Sequence, residues 1–407
     1  MAEGRPETDS CPVAQSYPFS SPHALDLDPT YARLRAAEPV ARVRLPYGQD
    51  GWLVTRYADA RTVLADSRFS REAVVGVDIP RVRPELTDQP GSLLSLDPPA
   101  HGRLRRLVAR AFTKRRVETL RPRMERMTNG LLDRMSAAGR PADFVRHVSV
   151  PLAVTTISEL FGIPEAGRPR FQAGAEAALS TSAMSPEQRR SYRTDLNDYL
   201  VELVEQRRRE PAEDLLGTLV TAHDEGDRLS EVELVQLAWV VLVAGYDTTM
   251  NQISNMVWTL LNEPDRWNTV RRDPDRLTAR IEELLRFIPL GVAAAFPRIA
   301  TEDVELSGVT IRAGDAVLML VHAANRDPEV FADPEVLDLD REPAAHLAFG
   351  HGPHHCVGAQ LARMELEVLL STLSRRFAGL RLAGAADDVP WRAGGMFRGP
   401  RELLVTW

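Results

Sequence analysis

Cysteine is scarce in this 407-residue sequence, which holds only Cys11 and Cys356. The first sits in the polar opening MAEGRPETDSCPVAQ and the second near the far end, so no structural disulfide is expected and Cys356 is left as a free thiol or a ligand. No apolar run approaches the roughly 20 residues that cross a bilayer, and the opening lacks a signal-peptide core, which points to a soluble cytoplasmic protein without membrane association. Positive charge is in deficit, with 50 Lys and Arg against 57 Asp and Glu. The net charge of −7 weighs against a dedicated nucleic-acid binder. Gly/Ser tracts, charged blocks, internal repeats and low-complexity segments are missing too. With 44% hydrophobic and 26% charged residues, the chain can bury a large core. A flexible tail over residues 1–16 and a single domain over 17–407 are expected.

What is present is mostly helical. ADARTVLADSRF, RRVETLRPRMERMTNGLLDRM, RTDLNDYLVELVEQRRRE and PDRLTARIEELLRF each alternate apolar and charged positions at helical spacing. ARVRLPYGQDGWLVT predicts two strands around a glycine-containing turn. VELSGVTIRAGDAVLMLV predicts further strands with hairpin turns at Ser307-Gly308 and Ala313-Gly314. The fold class expected is mainly α with a small β region.

Three segments carry chemistry. FGHGPHHCVG, residues 349–358, sets three histidines and Cys356 among glycines. Behind the cysteine, Leu366, Leu369, Leu370, Leu373 and Phe377 recur at helical spacing, placing Cys356 at a helix N-terminus. Free backbone N–H groups and the helix dipole favour a thiolate there. Gly350, Gly352 and Gly358 let the loop adopt conformations closed to other residues and approach a flat partner closely. The pattern suits a metal-bound thiolate. An ordinary buried cysteine is one alternative. A zinc site with His351, His354 and His355 is another, weakened because all four candidates crowd together without a second ligand cluster. A cysteine–histidine nucleophile has no protease-type signature behind it.

Residues 230–262 predict one helix about 50 Å long. Its apolar middle holds Ala244-Gly245-Tyr246-Asp247-Thr248-Thr249. Glycine and threonine can open the backbone ladder there, and a threonine hydroxyl can bond the carbonyl of the preceding turn. An acid beside a hydroxyl in a dry helix is what proton delivery to a reacting oxygen requires; a buried Asp and Thr satisfying each other is the alternative. In IEELLRF, Glu283 and Arg286 form an i, i+3 pair, a spacing of little consequence on a solvated helix, but here the helix end is apolar. DPPAHGRLRRLVARAFTKRR, residues 97–116, has no acid after Asp97. It is a solvated face, a docking surface for an acidic partner, or a source of His and Arg for cofactor carboxylates.

Together and in this order these segments resemble the cytochrome P450 family, the haem-thiolate monooxygenases, over residues 17–407. Phe349, Gly352, Cys356 and Gly358 match its F-x-x-G-x-x-x-C-x-G signature, and AGYDTT looks like its oxygen-binding motif. Glu283 and Arg286 fit its E-x-x-R element, with Arg341 as third member of that network. The resemblance implies a single-domain, mainly α P450 fold binding haem b, with Cys356 as axial iron ligand. A cysteinate ligand pushes electron density onto iron and favours O–O cleavage. His101, Arg105, Arg298 and His354 would hold the propionates. Phe349 and Gly358 would lie by the thiolate, Ala244 and Gly245 beside the ring, and Asp247 and Thr248 would relay protons. Tyr246 departs from the smaller residues or histidine frequent at that position.

The chain further resembles actinobacterial enzymes that tailor macrolides and other polyketides. That implies hydroxylation or epoxidation of a bulky, largely apolar secondary metabolite, with O2 as co-substrate. Electrons would come from NAD(P)H through ferredoxin reductase and a ferredoxin docking on Arg106, Arg110 and Arg115. By the same analogy Val74, Leu93, Leu94, Ala178, Trp239, Val243, Leu290, Val292, Ala293, Ala294, Met396 and Phe397 would line the pocket, within the loops 74–94 and 177–184 among others. A monomer is expected. Oxidative coupling or ring formation on the same fold, and a non-catalytic zinc- or haem-binding protein, are the alternatives.

Overall fold

A computed structural model describes residues 13–19, 23–84, 89–181, 183–224 and 229–407. Cys11 lies outside the described residues. The predicted hairpin forms over Val40–Arg44 and Gly51–Val54, with Val40 opposite Val54. Its turn needs Gly48, at φ +83°, where a Cβ would overlap the Ile79 carbonyl. Gly51–Val54 pairs in parallel with Ala316–Met319, which pairs antiparallel with Arg298–Ala300. Gln15–Ser16 and Phe69–Ser70 add the outer strands of this six-stranded sheet. Gln15 and Ser16 therefore sit in the sheet rather than in a free tail over 1–16. They are anchored by the buried Tyr17, whose hydroxyl accepts the Ala294 N–H at 2.6 Å.

The second strand-rich patch forms the hairpin expected at Ser307-Gly308 but not one at Ala313-Gly314, where the Gly314 N–H bonds the Ala300 carbonyl and the chain crosses from Val309–Ile311 into the six-stranded sheet at Ala316–Met319. Val304–Leu306 and Val309–Ile311 pair across a two-residue turn in which Ser307 (φ +47°) and Gly308 (φ +79°) are both left-handed, the geometry that matches strand twist. A third sheet joins Ala142–Asp143, Leu404–Thr406 and Arg381–Leu382.

Helices dominate the rest, so the fold is mainly α. The predicted ones occupy Tyr57–Ala65, Lys114–Ala137, Pro186–Arg209 and Leu277–Phe287. The long helix runs from Glu231 to Leu261. A reciprocal cap starts it: Ser230 Oγ accepts the Glu233 N–H at 3.2 Å, and the Glu233 carboxylate accepts the Ser230 N–H at 2.8 Å. Helices Val150–Phe161, Arg168–Leu179 and Pro186–Arg209 pack around it. Because this helix is sheathed by others, its buried polar residues Asp247, Asn251 and Asn255 need partners inside the protein.

Candidate active site

The cysteine loop makes a 3-10 turn over Gly352–His354, and the following helix, Ala359–Arg376, begins three residues after Cys356. The Cys356 N–H closes the loop on the Phe349 carbonyl at 2.8 Å, and Arg363 lies over the Phe349 ring, 4.5 Å from its centroid. Gly352, at φ +70°, is where the loop touches helix Tyr57–Ala65, and a Cβ there would come 2.5 Å from the Leu64 carbonyl oxygen. Gly358 has an ordinary φ of −83°, so its backbone does not demand glycine. Burial pushes the Cys356 thiol up; N–H bonds from Gly358 and Ala359 and the charges of Arg105 and Arg363 oppose this. Yet Cys356 is exposed. A thiol both desolvated and accessible opens onto interior space rather than bulk water.

The four expected carboxylate-binding side chains meet. The His101 and His354 rings stand 4.1 Å apart by centroid. Burial, His101, Arg298, Arg71 and Arg105 hold His354 down at about 3. His101 falls to about 4, through burial and then Arg105. Burial and Arg71 push Arg298 down to about 10. His354 Nε2 and Arg298 Nε are buried without hydrogen-bond partners. A cluster of this kind is costly until an anion enters it. The carboxylates of a haem are of the right chemistry, and the interior thiol supplies the iron ligand, so the residues present fit haem. His351 feels Arg61, and His355 feels Arg105, Arg363 and His351, but among the described residues no three potential ligands gather into a metal site. Arg71 escaped the sequence reading. It follows Phe69–Ser70, whose pairing with Arg298–Ala300 brings the two arginines together, and only the strand register could have revealed that.

On the long helix, Thr248 Oγ1 donates to the Ala244 carbonyl at 2.6 Å, and the segment remains α-helical rather than opening. On the side where its Cβ would stand, Gly245 faces a neighbouring helix: the added atom would press on the Ile157 side chain at 2.7 Å. Glycine there serves close approach of helix Val150–Phe161. Ala244 is exposed although Val243 and Tyr246 are buried, so the middle of this sheathed helix also borders interior space. Asp247 is raised to about 6 by burial, with Arg392 lowering it and Glu176 raising it. Tyr246 is fully buried; its hydroxyl donates to Glu176 Oε1 at 2.8 Å and its ring meets Phe171 edge-on.

Glu283 and Arg286 form a buried two-bond pair at 2.7 and 2.8 Å, and Arg341 Nε lies 3.2 Å from Glu283 Oε2. The expected pocket residues divide. Val74 packs with Ile79 and Ile299, Leu93 and Val243 join the main core, and Ala294 joins Tyr17 and Tyr31, so these four are buried. Leu94 and Val292 are exposed, while Ala178, Trp239, Leu290, Ala293, Met396 and Phe397 are half-buried. Backbone bonds gather three segments: Thr181 to Gly394 at 2.7 Å, Met396 to Leu179 at 3.1 Å and Val292 to Met396 at 3.0 Å. Parts of the two expected pocket loops, 85–88 and 182, lie outside the described residues. Among the described residues no helix is long and apolar enough to cross a membrane.

Comparison with known proteins agrees with this geometry. The cytochrome P450 family model matches residues 38–381. Nocardicin C N-oxygenase of Nocardia uniformis subsp. tsuyamanensis is 53% identical, over 97% of this chain and 98% of its own. Mycinamicin IV hydroxylase/epoxidase of Micromonospora griseorubida is 47% identical over 97% and 98%. Among solved structures, cytochrome P450mel 107F1, described as having biaryl coupling reactivity, superposes with a TM-score of 0.94 at 47% identity, covering 97% of this chain and all of that one. The mixed-function P450 MycG does so at 0.90 and 47%, with the same coverage. With its thiol loop, cationic cluster and long central helix, the chain belongs to the cytochrome P450 family and is a haem-dependent monooxygenase.

Proposed function

We propose that Cys356 is the axial ligand of haem iron, that His101, Arg105, Arg298 and His354 bind its propionates, and that the enzyme hydroxylates or epoxidises a bulky, largely apolar secondary metabolite of macrolide or polyketide type. The observation that carries this reading is the desolvated yet accessible thiol, beside arginine and histidine side chains of which Arg298 Nε and His354 Nε2 are buried without partners. Bound haem supplies the iron at which dioxygen is activated. The chain supplies the rest. Arg105 and Arg363 favour the thiolate charge, Phe349 packs on the thiolate side, and Ala244 leaves room beside the ring. Thr248, tethered to the Ala244 carbonyl, and Asp247 pass protons toward that space. Glu283, Arg286 and Arg341 brace the segment leading to the cysteine loop. Relatives named for nocardicin C and mycinamicin IV support a bulky secondary metabolite. Electrons reach the site from NAD(P)H by way of a ferredoxin reductase and a ferredoxin, which meets the exposed Arg106, Arg110 and Arg115. The protein works as a cytoplasmic monomer, residues 17–407 acting as one domain that the strand Gln15–Ser16 joins. Likeness to a biaryl-coupling relative supports a second reading, oxidative coupling without oxygen insertion.

Reduction under carbon monoxide tests the ligand. The intact protein gives a thiolate-type, red-shifted Soret band and Cys356→Ala loses it, whereas Thr248→Ala keeps the band and diverts reduced oxygen to peroxide. A band that survives Cys356→Ala refutes the ligand. Titration with mycinamicin IV and nocardicin C, followed by the spin-state shift and product mass, tests the substrate class. Gain of one oxygen supports insertion, and loss of two hydrogens supports coupling.

A further inference from the structure

The C-terminal segment from Trp391 to Pro400 folds back on itself. These two residues bridge, and the Arg392 N–H donates to the Gly399 carbonyl at 2.9 Å. It lies along one face of the long helix. Asp247, Asn251, Asn255 and Trp258 stand at i, i+4, i+8 and i+11, a single stripe. Three of the four are held by the segment. A Cβ on Gly399 would overlap the Asn251 amide, Asn255 Nδ2 donates to the Arg398 carbonyl at 2.9 Å, and Trp391 packs edge-on against Trp258 at 5.2 Å. The fourth position is Asp247, and there the segment presents a charge: Arg392 Nη1 lies 3.7 Å from Asp247 Oδ1. The Arg392 side chain is 29% exposed and that of Asp247 only 9%, so the guanidinium is the more accessible partner of a carboxylate that is nearly enclosed.

We infer that Arg392 is a positioning residue for proton delivery, holding the Asp247 carboxylate in place and in exchange with solvent. This rests on the relay role proposed for Asp247. Inserting one oxygen atom from O2 and releasing the other as water consumes two protons and two electrons; the electrons come from the redox partner, and the protons must cross the sheath of helices. A proton carrier works best when both of its forms are populated at working pH. The groups facing Asp247 are Tyr246 and Asn251 on its own helix, Glu176 on helix Arg168–Leu179, and Arg392 on the C-terminal segment. Burial and Glu176 favour the protonated acid. Arg392 is the cation opposing them, with the Asn251 amide beside it, so its loss shifts the carboxyl further toward its protonated form. The same segment carries Met396, bonded to Leu179 and Val292.

Three variants of the haem-loaded enzyme test this: Arg392→Gln, Arg392→Lys and Asp247→Asn. Oxygen uptake is driven by NADPH, ferredoxin reductase and a plant-type ferredoxin without added substrate, from pH 5.5 to 8.5 and in heavy water. First-electron reduction is followed separately by carbon monoxide trapping. Hydrogen peroxide with the dye ABTS, a turnover whose protons arrive with the peroxide, is the control. Expected is an uptake rate at pH 7.5 at least fivefold lower in Arg392→Gln, a larger solvent isotope effect, a pH profile displaced upward, and unchanged carbon monoxide trapping and ABTS oxidation. Arg392→Lys should recover to within twofold. If Asp247→Asn is slow while Arg392→Gln follows the wild-type profile, the inference falls and the role of Asp247 stands. An Asp247→Asn enzyme of wild-type rate removes both. Loss of ABTS turnover in Arg392→Gln, or failure of Arg392→Lys to recover, also overturns the inference, because it marks a purely structural role.

Discussion

Removing Arg286 should destabilise the protein strongly, and removing Glu283 with it should add less than the cost of losing Glu283 alone. Its guanidinium makes two bonds to Glu283 and three to carbonyls, from Asn325 at 2.8 Å, Pro334 at 2.9 Å and Val336 at 3.2 Å. Both side chains are 2% exposed. Arg286→Ala leaves a buried carboxylate with only the Asp338 N–H at 3.1 Å and Arg341 beside it, and strips three carbonyls of a donor. Breaking a buried pair from one side costs about 3–5 kcal/mol, a large part of the roughly 5–15 kcal/mol that holds a domain folded. Glu283→Gln keeps the shape and leaves the guanidinium on its carbonyls, so it should cost about 1–3 kcal/mol. The double variant Glu283→Gln/Arg286→Ala should cost less than the sum by at least about 2 kcal/mol. Urea unfolding of the haem-loaded protein, followed by Soret absorbance and far-ultraviolet dichroism, measures all three. An Arg286→Ala protein within about 1 kcal/mol of wild type, or strict additivity, refutes the reasoning.

Glu365 is buried in the core beside Thr156, and burial raises it from 4.5 to about 8. Below pH 4.5 folded and unfolded chains are both protonated and nothing is lost. As pH rises toward 8 the unfolded chain ionises first, so stability falls across that window, by on the order of 4 kcal/mol. Glu365→Gln should flatten the fall, and parallel urea midpoints for variant and wild type at pH 5 and 8 would rule the account out. Gly352→Ala sets a Cβ against the Leu64 carbonyl at a left-handed residue; it should cut the haem-to-protein ratio of the purified enzyme several-fold, while Gly384→Ala, in open space, should not. Glutamate at Arg106, Arg110 and Arg115 should slow reduction by ferredoxin and flatten its salt dependence. An unchanged rate and slope would move the docking site elsewhere.

Local periodicity made much of this fold legible. The long helix was expected over 230–262 and observed over Glu231–Leu261, because its apolar run and the Ser230/Glu233 cap are local signals. The Ser307-Gly308 turn was readable for the same reason. The cysteine loop could be recognised because its residues are contiguous. What the sequence hid depends on pairing between distant segments. Arg71 joins the cationic cluster through a strand register, and Arg392 reaches Asp247 because a C-terminal loop lies on the long helix. The packing of Gly245 on Ile157 was hidden in the same way, since Ile157 lies on another helix. The short strand at Gln15–Ser16 was absorbed into a tail, since two residues carry no periodicity of their own.

The parallel pairing of Gly51–Val54 with Ala316–Met319 has a consequence for biosynthesis. The N-terminal hairpin leaves the ribosome with its inner edge unsatisfied and waits for roughly 260 further residues before its neighbour exists. At about 5–20 residues per second that wait lasts roughly 15–50 s, during which a bare strand edge is open to mispairing with other nascent chains. Assembly of this sheet is therefore a late event, and substitutions that lengthen the wait should reduce the yield of soluble enzyme without altering the finished molecule.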